Sequence, residues 1–310
     1  MAKMVLNLLT PNIVKKAAAG LGIYNVFNYA FANKHTKFLM DVVEESFKQR
    51  KESKTKRNDL LDMMINAIEG NLDAEEVDIH ASNQFEKDEK LVNHVRKRNL
   101  SYDDVIATAL LMLSAGYETT GTTLSFILYD LAVNPNCQET LFEEIKDAGN
   151  DVNEIPYETL QTLPYLDAVI YESMRRHTII PLLERMCTKD YKVPGTNLMI
   201  KKGDFVRLNH LGICLDPEIY PNPLEYNPDN FTKERRLERS PYSFFGFGIG
   251  PRNCLAMRFA MYEMKVCISN LVSKFRFLPC EKTVTNLEWD PKSIFGNPKG
   301  GLWIKCEVRE

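Results

Sequence analysis

Cys254 closes a glycine-rich turn, Phe245-Gly-Phe-Gly-Ile-Gly-Pro-Arg-Asn-Cys254-Leu-Ala256, that runs into a segment of helical periodicity. Glycines at 246, 248 and 250 permit positive φ angles and let the backbone approach a flat ligand closely. A thiol delivered to a helix N-terminus meets the positive end of the helix dipole, so it can titrate below its free value of about 8.5. Phe247 is placed to shield the sulfur and Arg252 to meet a carboxylate. The ordinary alternative is a buried cysteine beside a turn. The glycines at every second position, Phe247 and Arg252 stand against that alternative.

Two further constellations could do chemistry. Ala115-Gly-Tyr-Glu118-Thr119-Thr120 lies within Val105 to Tyr129, a segment whose single charge is Glu118. The small pair Ala115 and Gly116 allows close approach of another group. Thr119 can bond back to the carbonyl of Ala115 and loosen the helix. A core helix with a satisfied threonine and a surface acid accounts for this segment taken alone. Glu172-Ser-Met-Arg175 places an acid and a base three residues apart on one helix face. Isolated pairs of that kind are commonly surface salt bridges.

The elements that must position these residues follow from periodicity. Leu60, Leu61, Met64, Ile65 and Ile68 repeat at helical spacing, as do Phe38 with Val42 and Leu39 with Val43 and Phe47. Between them KQRKESKTKR, residues 48 to 57, reads as a solvated helix end and loop. No aromatic residues interleave with it to stack bases, and a net charge of -3 gives no whole-chain argument for nucleic acid. The polar stretch from about Asn71 to Asn99 reads as a surface loop, and Ser101 with Asp104 as a helix start. The helix from Val105 to Tyr129 is long enough to span a bilayer, but its Thr, Ser and Gly content predicts a buried helix instead. No signal peptide is read at the start, where Asn7 and Pro11 interrupt a short apolar run.

Helices with apolar faces at Leu141 and Ile145, and at Leu166, Val169, Ile170 and Met174, come next. Short strands and turns are expected from about Leu183 to Asn209, then a Pro-rich loop from Asp216 to Pro228. A helix follows Cys254, and Leu302, Ile304, Cys306 and Val308 alternate as a final strand. The seven cysteines form no CxxC pair and total an odd number, which suits a reducing compartment. The fold class expected is mainly α with small β-sheets, in one domain over residues 1–310.

Phe247-x-x-Gly250-x-Arg252-x-Cys254-x-Ala256 resembles the cysteine-ligand loop of the cytochrome P-450 haem-thiolate monooxygenases. By that resemblance the cofactor is haem b (iron protoporphyrin IX), and Cys254 is its iron ligand. Phe247, Gly250 and Ala256 line the haem from the same loop, and Arg252 pairs with a propionate. Ala256 stands where the family usually has glycine, and Gly246 where proline is common. Ala115 to Thr120 resembles the oxygen-activation segment, with Ala115 against the haem and Thr119 and Glu118 delivering protons to bound O2. Glu172 and Arg175 resemble a buried structural pair that an arginine from the Pro-rich loop completes, and Asn230 replaces that arginine here. Leu183-Glu184-Arg185 is similar to a segment of the animal microsomal branch that oxidises xenobiotics. Arg185 is then a second propionate partner, while Ile179, Ile180 and Leu182 face substrate. Cys214 occupies a position where this branch often has histidine.

The resemblance corresponds to the C-terminal part of a family member. It implies a cytochrome P-450 fold whose N-terminal part is missing, with membrane association at the endoplasmic reticulum through a missing N-terminal anchor, and weak haem retention at this length. The implied activity is insertion of one atom of O2 into an apolar small-molecule substrate, such as a xenobiotic, steroid or lipid-like compound. Electrons come from an NADPH-dependent flavin reductase. Two other readings stay open. One is a haem-thiolate isomerase or dehydratase, against which the Glu118-Thr119 pair argues. The other is a truncated, non-catalytic chain that holds no haem.

Overall fold

A computed structural model describes residues 34–53, 56–69, 101–149, 155–291, 293 and 296–309. The expected surface loop at 71–99 lies outside them. The chain divides into two compact units, residues 1–115 and 116–310. Its secondary structure is mainly helical with small antiparallel sheets.

In the first unit, α1 (Lys34–Ser53) and α2 (Leu60–Glu69) pack with the opening turns of α3 (Tyr102–Val133). Val43, Phe47, Met64, Val105 and Ile106 form their core. Of the two apolar stripes on α1, the one carrying Val43 and Phe47 is buried, whereas Phe38 and Val42 are exposed. The basic stretch departs from its expected solvation at Arg50. That guanidinium is 10% exposed and bonds Asp59 and Asp62, because the α1–α2 turn folds back over it. Ser101 caps α3 as expected: its hydroxyl and amide both donate to Asp104, whose own amide donates back to the hydroxyl. Among the described residues no helix is long and apolar enough to cross a membrane.

The second unit is built on α4 (Pro135–Ala148), α5 (Tyr157–Gln161), α6 (Pro164–Arg176) and α9 (Met257–Lys274). Ile127, Leu131, Leu141, Ile145, Leu166, Val169, Ile170, Met264 and Ile268 interlock as its core. Polar groups fix the register of these elements. Glu144 accepts from the amides of Tyr165 and Leu166 at 2.7 and 2.8 Å, satisfying donors that α6 leaves open at its start. Gln138, fully buried, exchanges two bonds with the backbone of Phe277.

The strands come as β1 (Leu182–Met186) with β4 (Phe205–Asn209), β2 (Tyr191–Lys192) with β3 (Met199–Ile200), and β5 (Phe275–Pro279) with β6 (Ile304–Val308). The short helix α7 (His210–Cys214) follows β4, and α8 (Lys233–Glu238) follows the Pro-rich loop.

The long helix corrects one expectation. Its first turns enter the first core and Leu124 onward the second, but Leu111, Leu113 and Tyr117 between them pack into neither and are exposed, Tyr117 to 77%. Val105 to Tyr129 is therefore not buried throughout.

Candidate functional site

Phe245 to Ala256 folds as two tight turns. Gly248 and Gly250 have φ of +78° and +73°, which side-chain-bearing residues rarely adopt, and the amide of Cys254 donates to the carbonyl of Phe247 at 2.7 Å. Gly246 serves differently. Its φ is not positive, but a Cβ there would lie 2.8 Å from the Phe244 ring and 2.9 Å from the Met174 methyl. The ring of Phe247 packs against the main core, so its half-buried side chain anchors the turn from below.

Cys254 differs in one way from the sequence expectation. The cap of α9 is Ala256, so Cys254 stands two residues ahead of it rather than in the first turn, where the dipole acts most strongly. Cys254 is exposed, which sets it apart from the buried cysteine of the ordinary alternative. Leu255 and Phe259 beside it are exposed to 83% and 71%. Arg252 is exposed, and its guanidinium pairs with no residue among those described.

On α3, Glu118 and Thr119 are half-buried and Ala115 is exposed one turn earlier. Glu118 Oε1 accepts from Asn297 Nδ2 at 3.2 Å, and Thr122 Oγ1 donates to Asn297 Oδ1 at 3.1 Å. Thr123 Oγ1 donates to the carbonyl of Thr119 at 2.9 Å, a back-bond of the type expected of Thr119 itself. Asn297 is not recognisable from sequence, because its two partners lie 179 and 175 positions away.

The Glu172–Arg175 pair is fully buried and bidentate, Nε to Oε2 at 2.8 Å and Nη2 to Oε1 at 2.7 Å. Arg175 also donates to the carbonyls of Cys214, Pro223 and Glu225. Asn230 replaces the expected arginine without leaving a gap. Its Nδ2 reaches both oxygens of Glu172, at 3.2 and 3.4 Å, and the amide of Asn227 adds a bond at 2.9 Å. Cys214 is buried beneath the pair, and burial pushes its thiol up to about 11.

Arg185 lies on β1 opposite Val206, exposed, its Nη1 donating to the carbonyl of Glu184 at 2.9 Å. Ile179 is half-buried, and Ile180 and Leu182 are 44% and 52% exposed. His210, unsuspected in the sequence, links this segment to the cysteine turn. Phe245 stacks on its ring at 4.3 Å, and the amide of Phe245 donates to Nε2 at 3.3 Å. Burial pushes the imidazole down to about 4, so it stays neutral and free to accept.

Among the described residues no three His, Cys, Asp or Glu gather as they would around a bare metal ion. A haem iron asks less of the protein: one axial ligand, cations for two propionates and an apolar surface for the ring. Exposed Cys254, exposed Arg252 and the exposed apolar side chains beside them fit those needs.

The family model described as "Cytochrome P450" matches residues 14–304. Cytochrome P450 6k1 of Blattella germanica is 34% identical over 265 residues, 85% of this chain and 50% of its own length. Cytochrome P450 6a8 of Drosophila melanogaster is 35% identical over 274 residues, 87% and 51%. For cytochrome P450 6B1 of Papilio polyxenes the figures are 32% over 306 residues, 98% and 57%. The chain thus spans about half the length of the curated relatives it matches. A match running through both units, with relatives above 30% identity across most of the residues, makes this chain a member of the cytochrome P450 family.

Proposed function

We propose that this chain carries the thiolate-ligand part of a haem-dependent monooxygenase, and that Cys254 is the ligand. The observation that carries this reading is the turn itself. Two positive-φ glycines and the Cys254–Phe247 backbone bond hold Cys254 at the surface, where an inert core cysteine would be buried.

When bound, haem supplies oxygen binding and the oxidising power to insert one oxygen atom into an apolar organic substrate. The chain's own groups divide the remaining tasks. Cys254 holds the cofactor as an anionic ligand. Arg252 and Arg185 offer guanidinium groups to two propionates, for which fork geometry is well suited. Glu118 holds a proton beside Thr119 and passes it toward the oxygen-binding face, a task for which a carboxyl group is suited. Ile179, Ile180 and Leu182 offer apolar surface to the substrate. Electrons arrive from an NADPH-dependent flavin reductase. The enzyme works at the endoplasmic reticulum membrane, as in the microsomal, xenobiotic-oxidising branch of the family.

Turnover under isotopically labelled dioxygen tests the activity. With reductase and NADPH, a monooxygenase places one labelled atom in the product and the other in water. Product that forms without NADPH and carries no label contradicts this reading and fits an isomerase or dehydratase.

A further inference from the structure

The loop between the last two strands contributes a side chain to the acid on α3. We propose that Asn297 is a positioning residue for Glu118, fixing the direction in which its carboxyl group holds and releases a proton. This inference rests on the monooxygenase reading and extends it to a residue outside the motifs.

The chemistry of the partners fixes the amide's orientation. A carboxylate only accepts hydrogen bonds, so Nδ2 of Asn297 must face Glu118 Oε1, at 3.2 Å. Oδ1 then faces Thr122, whose hydroxyl donates to it at 3.1 Å. Glu118 and Thr122 are four residues apart, one above the other on a single helix face, so one amide spans both. Among the described residues the Glu118 carboxyl group takes its bond from Asn297, through Oε1.

The loop's own bonds hold the backbone of Asn297. Its amide donates to Ser293 Oγ at 3.0 Å, and its carbonyl accepts from the amide of Asp290 at 2.9 Å. Trp289 and Pro298 form a bridge, and the amide of Lys299 donates to the carbonyl of Glu288 at 2.7 Å. The Trp289 ring packs 5.9 Å from Phe126, one turn beyond Thr122 on α3. Tyr129 Oη, further along that helix, donates to the carbonyl of Val284 at 2.7 Å. Gly296, at φ +62°, permits the close fit, since a Cβ there would lie 3.4 Å from Trp289 and 3.7 Å from the carbonyl of Thr178. The loop therefore stays on α3 without the Asn297 side chain, whose remaining task is to orient Glu118.

The test has a part that needs no haem and a part that does. Thermal unfolding of the chain carrying Asn297→Ala, Glu118→Ala or both measures the bond directly. The double variant should lose less Tm than the two single losses added together. In the haem-loaded enzyme with its reductase, Asn297→Ala should lower product formed per NADPH consumed by about tenfold, part of the roughly 10²- to 10⁴-fold that a positioned acid contributes. It should also raise the solvent isotope effect on turnover, with KM unchanged to within about twofold. Asn297→Gln, which keeps a donor, should recover part of the loss. Additive Tm shifts, unchanged coupling of NADPH to product, or a change in KM alone overturns the role of Asn297 while the monooxygenase reading stands. A wild-type enzyme that incorporates no labelled oxygen overturns that reading and this inference with it.

Discussion

Arg175 and Arg252 show two opposite uses of the same side chain. A guanidinium has five N–H donors, and Arg175, with no exposed surface, places five bonds on partners within its own chain: two on Glu172 and one each on three backbone carbonyls. Arg252, two residues from an exposed thiol, places none on a described residue. The first arrangement is complete and serves the fold. The second has its cation and its soft donor on the surface without partners among the described residues, which suits the site proposed for an external anionic, metal-bearing group. Stability should therefore depend on the first region and cofactor binding on the second.

The largest stability effect should come from Glu172→Gln. It removes the charge but keeps the shape, leaving Arg175 as a buried cation without its counter-ion at a cost of about 3–5 kcal/mol. Chemical denaturation measures it, and a loss below about 1 kcal/mol would show that the backbone carbonyls alone satisfy Arg175.

Next in size is an acid effect at His210, which links β4 to the cysteine turn. Its folded value of about 4 lies below the ordinary 6.5 because of burial, so the unfolded chain binds more protons between those values. The stability that neutral His210 provides is full above about pH 6.5 and falls as pH drops toward about 4, by up to about 3 kcal/mol. His210→Phe should flatten that part of the stability–pH curve. An equally steep curve in the variant would assign the effect to other groups.

Asn230→Ala should cost about 1 kcal/mol, since it removes two long bonds to a carboxylate that keeps its arginine and the Asn227 amide. The smallest stability effect should be that of Cys254→Ser. An exposed thiol changes stability by no more than about 0.5 kcal/mol when replaced by a hydroxyl, although the same change should remove the iron ligand. A large loss of stability would mean that the turn is a structural device and would remove the contrast between the two regions.

The sequence made legible what lies close along the chain. Helical periodicity placed α2, α6 and α9, the Ser101–Asp104 box marked the start of α3, and the spacing of the glycines marked the cysteine turn. It did not reveal side chains whose partners come from distant segments. Arg50 looked like one cation in a solvated run until Asp59 and Asp62 folded onto it. Gly246 suggested backbone freedom, but its requirement is space beside Phe244 and Met174. Asn297 and His210 carried no local signal, because each acts through a residue far off in sequence. Even the long helix misled, since Leu111, Leu113 and Tyr117 in its middle pack into neither core.

The central claim is that Cys254 is a haem ligand, and one spectrum tests it most directly. The haem-loaded protein, reduced and exposed to carbon monoxide, should show the red-shifted Soret band of a thiolate-ligated iron, and Cys254→Ser should abolish that band while the protein stays folded. An imidazole-type band in the wild type, or a red-shifted band that survives Cys254→Ser, would contradict the account.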